Sequence, residues 1–320
     1  MLCITLILTC LTSSVTPHNI LYTAYQKPYT SIFSEEQVIF TTNHNITKLL
    51  VPADGISYIQ HSDIPSIFFT VHDKNLEGEH CIYVLEGLAA YEILEGGRDS
   101  TSDYGSDKAI YFGAKDGVYV YDAASLSAKK FGPFRDDIVQ IQKANGSDII
   151  FYLTTQNRIY KLEKHGMVRT KITSIICALE FVLDTSNNIY YLACEDKLPR
   201  VVTPNGDLIS FFSSVTGDFS DVKLLRPAFI MDSCVPFFAD DVLYIMYSNG
   251  TSEKKDFHIK EKPSAFSIDS MLYVVAAING KIYEFNVLEM LLKSMFKVPS
   301  HWSINLKNII MSVIDSKDSM

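Results

Sequence analysis

Short runs in which β-branched and aromatic residues alternate with polar ones return along most of the chain. The clearest example is residues 107–122, where two such runs flank a polar turn that ends in Asp116-Gly117. A glycine after an aspartate supplies the positive φ that a tight turn needs, and the flanking residues are typical of strands. This stretch therefore predicts a β-hairpin.

The first strand of this hairpin, in which isoleucine or leucine precedes an aromatic residue, is repeated at intervals of about 40 residues. Its aromatic residues are Phe68, Tyr111, Phe151, Tyr190, Tyr244 and Tyr273. A period near 40 with several short strands per unit is typical of a β-propeller, in which each unit is a four-stranded blade. The pattern predicts an all-β fold, a six-bladed β-propeller that forms a single domain over residues 17–320. A β-sandwich of unrelated hairpins is the alternative, but it does not account for the regular repeat.

Some segments depart from the repeat. Residues 98–107 are polar and contain glycine, which predicts a loop. Residues 213–226 lengthen the interval from Tyr190 to Tyr244 to 54 residues, so we expect a surface insertion there. Closure of the ring would use an outer strand from one of the extended segments at 20–25 and 37–41. The final segment, 303–320, fits either a short helix or a closing strand.

The first 16 residues are similar to a secretory signal peptide. An apolar run over residues 2–11 is followed by Thr12-Ser13-Ser14, although the usual positive charge before the run is missing. About 10 apolar residues are too few to cross a hydrocarbon core, which takes about 20. We therefore predict a secreted, soluble chain without a membrane anchor, on which three sequons would be glycan acceptors. Their asparagines are Asn45, Asn145 and Asn249.

The cysteines give a second indication of export. Two of the six leave with the signal peptide, and four remain. A strand, a turn and a second strand lie between Cys177 and Cys194, which places the two side chains opposite each other and within reach of a disulfide. The alternative is a pair of buried free thiols. A bond between Cys81 and Cys234 follows only by elimination.

Charge and motifs argue against several classes of function. The formal net charge is −9 and the basic residues are not clustered, so a nucleic-acid-binding surface is not expected. The chain lacks the local motifs of serine hydrolases, zinc proteases, phosphate-binding loops and calcium loops, and its eight histidines have no metal-ligand spacing. We predict no catalytic residue, metal or cofactor. An enzyme is still an alternative, because propeller active sites assemble from different blades.

A propeller offers a ligand site where its blades converge on the central axis. The segments expected there are 103–104, 135–137, Glu180 and Phe229. Acids that converge at the axis would bind Ca²⁺ through their oxygens, although solvated acids in loops are the simpler interpretation. The predicted ligand-binding residues are Tyr104, Arg135 and Phe229, two rings to stack on a planar molecule and a guanidinium to pair with its carboxylate. For Arg135 the alternative is that it neutralises the two aspartates that follow it.

The chain resembles the insect ommochrome-binding proteins in the hairpin at 107–122, in residues 127–132 and in the strands at 149–153, 187–192 and 280–285. The resemblance covers about residues 56–290 and carries no ligand-contact motif. Members of that family are secreted blood proteins of moths and butterflies with propeller-like repeats. The resemblance implies a hemolymph carrier of ommochromes, which are flat tryptophan-derived pigments that bear carboxylates and amines.

These features predict a secreted, non-catalytic propeller that binds a small aromatic metabolite, an ommochrome or a related pigment, in its central depression. One alternative is a metal-dependent, lactonase-like hydrolase, which would need a glutamate, an asparagine and an aspartate at the axis. The other is a secreted propeller whose outer faces bind proteins.

Overall fold

The computed structural model describes residues 35–52, 65–73, 79–104, 108–210, 219–228, 231–258, 262–269 and 273–286. The predicted signal peptide at 1–16, the segment 303–320 and Phe229 lie outside these ranges. The two ends of the predicted domain, 17 and 320, also lie outside them, so the domain bounds stay a prediction. No helix within the described ranges is long and apolar enough to cross a membrane.

The described residues form six antiparallel sheets of four strands each, which are the blades of a β-propeller. Blade 1 contains β2 (Asn45–Leu50), β3 (Ile67–Asp73), β4 (Glu79–Glu86) and β5 (Ala89–Glu95). Blade 2 contains β6 (Gly97–Ser102), β7 (Ile110–Ala114), β8 (Gly117–Asp122) and β9 (Ser127–Lys130). Blade 3 contains β10 (Ile138–Lys143), β11 (Ile150–Thr154), β12 (Ile159–Glu163) and β13 (Val168–Lys171).

Blade 4 contains β14 (Ala178–Leu183), β15 (Ile189–Ala193), β16 (Pro199–Val202) and β17 (Leu208–Ser210). Blade 5 contains β18 (Val222–Leu224), β19 (Cys234–Ala239), β20 (Val242–Tyr247) and β21 (Ser252–His258). Blade 6 contains β22 (Ala265–Ile268), β23 (Tyr273–Ile278), β24 (Lys281–Asn286) and, from the other end of the chain, β1 (Val38–Thr41). The predicted all-β, six-bladed fold is confirmed.

The ring is closed by β1, which pairs antiparallel with β24 in the register Val38↔Tyr283 and Thr41↔Lys281. Of the two segments predicted for the closing strand, 37–41 supplies β1, and 20–25 lies outside the described residues. Beside this pair the backbone of Gly280 lies so close to the Thr42 carbonyl that a Cβ at residue 280 would collide with it. Gly280 also has a φ of 76°, so both space and conformation require glycine at the seam.

The hydrophobic core lies between neighbouring blades. Phe68 of blade 1 packs with Phe112 of blade 2, with ring centroids 5.7 Å apart, in one such cluster. Phe151 and Phe181 belong to the cluster between blades 3 and 4, and Tyr190 and Phe237 to the cluster between blades 4 and 5. The repeated aromatic residues thus mark the middle strands, which are buried on both faces.

Two predicted irregular segments contain strands. Residues 98–107 are not simply a loop, because 97–102 form β6, the inner strand of blade 2. Residues 213–226, predicted to be an insertion, include β18, the inner strand of blade 5. Tyr244 lies in the third strand of its blade and not in the second, as the other five aromatic positions of the repeat do, so part of the long interval reflects this misalignment.

The predicted disulfide between Cys177 and Cys194 is present, with 5.5 Å between the Cα atoms. The register differs from the simple hairpin expected. Leu183 pairs with Ile189 at the turn, and a bulge between Ala178 and Glu180 then shifts the pairing so that Ala178 faces Ala193. Without that bulge Cys177 would not lie opposite Cys194.

The bond between Cys81 and Cys234 that elimination suggested is not formed. Both cysteines are free, one in β4 of blade 1 and the other in β19 of blade 5. Burial raises the pKa of the Cys81 thiol to about 12 and that of Cys234 to about 11. Both thiols therefore stay protonated and weakly reactive at neutral pH.

Candidate functional site

The first strand of each blade lines the central channel, and these six inner strands run in the same direction. Parallel contacts show this for blades 2 and 3, where Asp99 Oδ2 accepts a hydrogen bond from Ile141 N and Thr101 Oγ1 accepts one from Lys143 N. We call the end of the channel at which the inner strands begin the front, and the end at which they finish the back.

A β-bulge recurs at one place in the inner strands of blades 1 to 4. The pairing with the second strand shifts between Ile46 and Lys48, Gly97 and Asp99, Ile138 and Gln140, and Ala178 and Glu180. A bulge bends its strand and redirects the next side chain. The residue that follows each bulge lines the channel, and we call this place the ring position.

In three blades the residue at the ring position binds the next blade. Asp99 Oδ2 accepts a hydrogen bond from Ile141 N at 2.9 Å, Gln140 Oε1 from Phe181 N at 2.9 Å, and Glu180 Oε2 from Leu224 N at 3.0 Å. In each case the donor stands one residue after the ring position of its own blade, which makes Lys223 the ring residue of blade 5. Each of these side chains thus links its blade to the backbone of the next one, and together they connect blades 2, 3, 4 and 5.

Lysines occupy the ring position in blades 1 and 5. Lys223 of blade 5 donates from Nζ to the Ser264 carbonyl of blade 6 at 2.7 Å. Lys48 of blade 1 makes no hydrogen bond to any described residue and lines the channel. The ring therefore presents Lys48, Gln140, Glu180 and Lys223 to one space.

At each of these groups, burial shifts the pKa in one direction and a nearby opposite charge shifts it in the other. Burial raises the pKa of both Asp99 and Glu180, and the Lys48 ammonium partly offsets that rise. Burial also lowers the pKa of Lys223, an effect that Glu180 opposes. Each charge is thus destabilised by loss of solvent and relies on its neighbours.

A depression of ≈ 470 Å³ lies on the front side of the ring position. Its wall contains aliphatic side chains from blades 3, 4 and 5, namely Val139, Leu153, Leu179, Leu192 and Val222. Its base contains Lys48, Gln140, Glu180 and Lys223. The front depression therefore joins an apolar wall to both signs of charge.

A smaller chamber of ≈ 70 Å³ lies behind the ring position and shares Lys48, Gln140, Glu180 and Lys223 with the depression. Its other polar lining residues are Thr47, Asp99, Ser100, Gln142, Arg226 and Ser264. These four shared residues lie between the two spaces, and we call them the waist.

Tyr104 and Arg226 meet across the axis at the back of the chamber. They follow the inner strands of blades 2 and 5, which stand opposite each other in a ring of six. The Arg226 guanidinium lies 4.8 Å from the centre of the Tyr104 ring and donates to Ser102 O at 2.5 Å, and the Tyr104 hydroxyl donates to Pro227 O at 2.5 Å. Of this pair, Arg226 also lines the chamber.

Of the three predicted ligand-binding residues, Tyr104 and Arg135 lie at opposite ends of the channel. Tyr104 lies at the back, and Arg226 covers one face of its ring. Arg135 lies at the front on the segment that leads into β10, with 73% of its side chain exposed and Asp116 as its nearest acid at 3.9 Å. Phe229 is outside the described residues, so the binding roles of all three stay predictions.

The aspartates beside Arg135 are neutralised by other residues. Arg169 pairs with Asp136 at 2.6 Å, and Arg98 of blade 2 pairs with Asp137 at 2.5 Å. The alternative role suggested for Arg135, neutralising its own neighbours, is therefore taken by these two arginines. No group of three or more His, Cys, Asp or Glu side chains in the described ranges has a geometry that could hold a metal ion.

The three sequons differ in accessibility. Asn45 and Asn249 are exposed, whereas Asn145 is half-buried and its side-chain nitrogen donates to Thr185 O at 3.3 Å. A glycan on Asn145 would compete with that bond, because it is attached to the same nitrogen. Glycosylation of all three stays a prediction.

Sequence reasoning correctly expected Glu180 in the channel but missed the ring position as a repeated feature. Three of its residues, Asp99, Gln140 and Glu180, each stand 10–12 residues before a repeated aromatic residue, at Tyr111, Phe151 and Tyr190. A search for polar residues in phase with the aromatic repeat would have found them.

No protein-family model matches the sequence, and no curated protein sequence matches it either. Solved β-propellers are similar in fold. The WD40 β-propeller domain of Doa1 has a TM-score of 0.51 at 8% identity, over 78% of this chain and 96% of that chain. The β-propeller domain of Cps50 (Swd1) from Myceliophteria thermophila has a TM-score of 0.49 at 10% identity, over 77% and 98% of the two chains.

Streptogramin B lyase has a TM-score of 0.46 at 12% identity, over 75% of this chain and 96% of that chain. Identities this low show likeness of fold alone. The match to the Doa1 domain supports the β-propeller architecture, and function has to be argued from the channel.

Proposed function

We propose that the protein is a secreted, non-catalytic carrier whose front depression binds a small aromatic metabolite that bears a carboxylate and an amino group, of the ommochrome class. The observation that carries this proposal is the combination of Lys48, Lys223 and Glu180 at the base of a depression with an aliphatic wall. The family resemblance of the sequence points to the same class of ligand.

The size and lining of the depression suit such a molecule. Its volume of ≈ 470 Å³ lies within the range of about 300–1,000 Å³ that is usual for small-molecule sites. The aliphatic side chains of Leu179, Leu192 and Val222 offer apolar contact for a flat ring system. Bound metabolites of this kind gain affinity from apolar burial and orientation from a few polar groups.

The charges at the base complement a zwitterion. A carboxylate would pair with the Lys48 ammonium, which has no hydrogen-bond partner among the described residues. An amino group would pair with Glu180, which has one carboxylate oxygen engaged with Leu224 N. Charge-assisted contacts in a partly desolvated site are the strong ones, and they give specificity for this pattern of charge.

The same residues suit a cation poorly. Asp99 and Glu180 are the acids of the ring, and each already accepts a backbone N–H from the next blade. Lys48 is close enough to lower the pKa of both, so its charge would repel a calcium ion bound between them. This donor set favours the carrier over a metal-dependent hydrolase.

The disulfide between Cys177 and Cys194 supports the proposal that the carrier is exported, because disulfides persist in oxidising compartments. Export also agrees with the leader at residues 1–16 and with the three sequons. Mass spectrometry of the secreted protein should show loss of this leader.

The proposal is tested by titrating xanthommatin, an ommochrome, into the wild-type protein and into Lys48→Met, which keeps the length of the side chain and removes its charge. We expect the variant to bind about 10–100-fold more weakly, because it lacks one charge-assisted contact. The matched control is Lys129→Met in β9, whose side chain is 69% exposed and pairs with Asp122 away from the axis.

The control should bind like the wild type. Equal losses in Lys48→Met and Lys129→Met would place the site elsewhere. If the wild type does not bind xanthommatin, the carrier proposal has to be abandoned for this class of ligand.

A further inference from the structure

The chamber behind the ring position is lined by polar donors that lack protein partners. The Ser100 hydroxyl is buried, with 5% of the residue exposed, and has no hydrogen-bond partner. Gln142 is 6% exposed and its side chain makes no hydrogen bond to any described residue. A buried polar group without a partner is costly, so the Ser100 hydroxyl points to something that occupies the chamber.

The charges around the chamber favour a negative occupant. Lys48 and Lys223 stand at its front and Arg226 at its back, against the two acids Asp99 and Glu180. Burial raises the pKa of both acids, which weakens their repulsion of an anion. Each acid also has an oxygen directed to a backbone N–H of the next blade and not into the chamber.

The size of the chamber limits the occupant. Its volume of ≈ 70 Å³ is small beside the ≈ 470 Å³ of the front depression. This difference favours a small group, such as a single carboxylate, over a ring system as the occupant. At the back Arg226 lines the chamber and contacts Tyr104, so we expect the occupant to enter from the front through the waist.

We propose that the chamber is a binding site for a small planar oxyanion of the carboxylate class, with Ser100 and Gln142 as hydrogen-bond donors and Lys48 and Arg226 as the neutralising charges. Two sources supply this chemistry: a free small carboxylate, or the carboxylate of the metabolite whose ring system lies in the front depression. Only the second source rests on the proposed function.

The test is the thermal stability of the full chain in sodium acetate compared with sodium chloride at the same ionic strength. A ligand that binds only the folded state raises the Tm in a concentration-dependent manner. We expect acetate to raise the Tm of the wild type, and Ser100→Ala and Gln142→Ala to weaken acetate binding by about tenfold each. Lys129→Met should respond like the wild type.

A size series on the wild type gives a second measurement that does not depend on the variants. Formate and acetate should both stabilise the protein, whereas trimethylacetate should be at least about tenfold weaker, because its branched carbon has to stand in the waist. If acetate has no more effect than chloride, or if both variants respond like the wild type, the chamber is not a carboxylate site.

Competition separates the two sources. If acetate weakens xanthommatin binding competitively, the metabolite places its own carboxylate in the chamber. If acetate binds without affecting xanthommatin, the occupant is a free carboxylate. Stabilisation by acetate in a protein that does not bind xanthommatin would leave the chamber site standing and overturn the proposed function.

Discussion

The ring position is filled in two different ways around the channel. In blades 2, 3 and 4 the side chains of Asp99, Gln140 and Glu180 accept the N–H of the next inner strand. In blades 1 and 5 the same position carries a lysine, which has no acceptor to offer. Lys223 instead donates to a carbonyl of blade 6, and Lys48 lines the open part of the channel.

The difference shows how one repeated backbone position serves two purposes. Inner strands bring backbone N–H groups together where water is scarce, and each needs an acceptor. Three blades meet this need with a side-chain oxygen and so fix the spacing of the ring. Blade 1 does not, and its Lys48 can present a cation to a ligand, so the asymmetry of the ring creates the site.

The largest loss of stability should come from a change in blade 4, whose inner strand is stabilised both by Glu180 and by the disulfide. We expect the double variant Cys177→Ala with Cys194→Ala to lose about 3 kcal/mol of unfolding free energy, because the bond closes a loop across a separation of 17 residues. Urea denaturation without reductant measures this loss. Cys81→Ala, which removes a free thiol, is the control and should cost less than about 1 kcal/mol.

A loss below about 1 kcal/mol in the double variant would mean that bonds to the neighbouring blades, and not the bond within blade 4, hold its inner strand.

The next largest loss of stability should come from removing a hydrogen bond between blades 3 and 4. Gln140→Ala should cost about 2 kcal/mol, because it leaves the Phe181 N–H buried without an acceptor. Gln142→Ala is closely matched, since it lies in the same strand with similar burial but accepts no N–H from another blade. Its cost should be less than half as large by the same urea measurement. Equal costs would show that the ring position has no special role in stability.

The joint between blades 6 and 1 uses a smaller acceptor. Ser267 Oγ accepts a hydrogen bond from Val51 N at 2.9 Å, so Ser267→Ala should cost about 1 kcal/mol. Thermal unfolding would show a lowered Tm. An unchanged Tm, or one that Ser267→Thr fails to restore, would contradict a role for this hydroxyl in joining the two blades.

The smallest structural change is Asp99→Asn, which keeps an oxygen for the Ile141 N–H and removes the charge. Burial raises the pKa of Asp99 in the folded protein, so its contribution to stability is full below the ordinary aspartate pKa of about 3.9 and is lost as pH rises through the raised value. The variant should therefore gain stability relative to the wild type between pH 4 and pH 8.

Unfolding free energies of both proteins over that range measure the trend. A difference that stays constant with pH would mean that Asp99 titrates alike in the folded and unfolded chain.

The sequence predicted the middle strands well and the inner strands poorly. Middle strands are buried on both faces by neighbouring blades, so Phe68, Phe151 and Tyr190 stand out as repeated aromatic residues. Inner strands face a polar channel, and β6, with the sequence Gly-Arg-Asp-Ser-Thr-Ser, has no apolar residue to distinguish it from a loop. The strand β18 has only three residues.

The disulfide and the candidate site also depend on contacts between strands that the sequence does not reveal. The pairing of Cys177 with Cys194 was predicted correctly, but from a hairpin assumed to be symmetric. The centre of the turn was placed half a residue from its true position, and a bulge in the first strand makes up for this error. Bulges are set by contacts between strands and leave no local pattern. Of the residues that follow them and line the channel, Glu180 was predicted there, but Lys48, Asp99 and Gln140 were not. Tyr104 was placed near the axis, whereas its partner Arg226 comes from the opposite blade and has no signal in the sequence.

The closure of blade 6 by β1 sets the order of events on the ribosome. Translation yields the closing strand first, and its partner β24 follows after roughly 240 residues, or about 10–50 s at about 5–20 residues per second. Throughout that interval the edge of β1 is an unpaired strand that can join any other exposed edge. A nascent chain that stops before Lys281 leaves two such edges, at β1 and β23, so premature termination should yield an aggregating fragment and not a five-bladed ring.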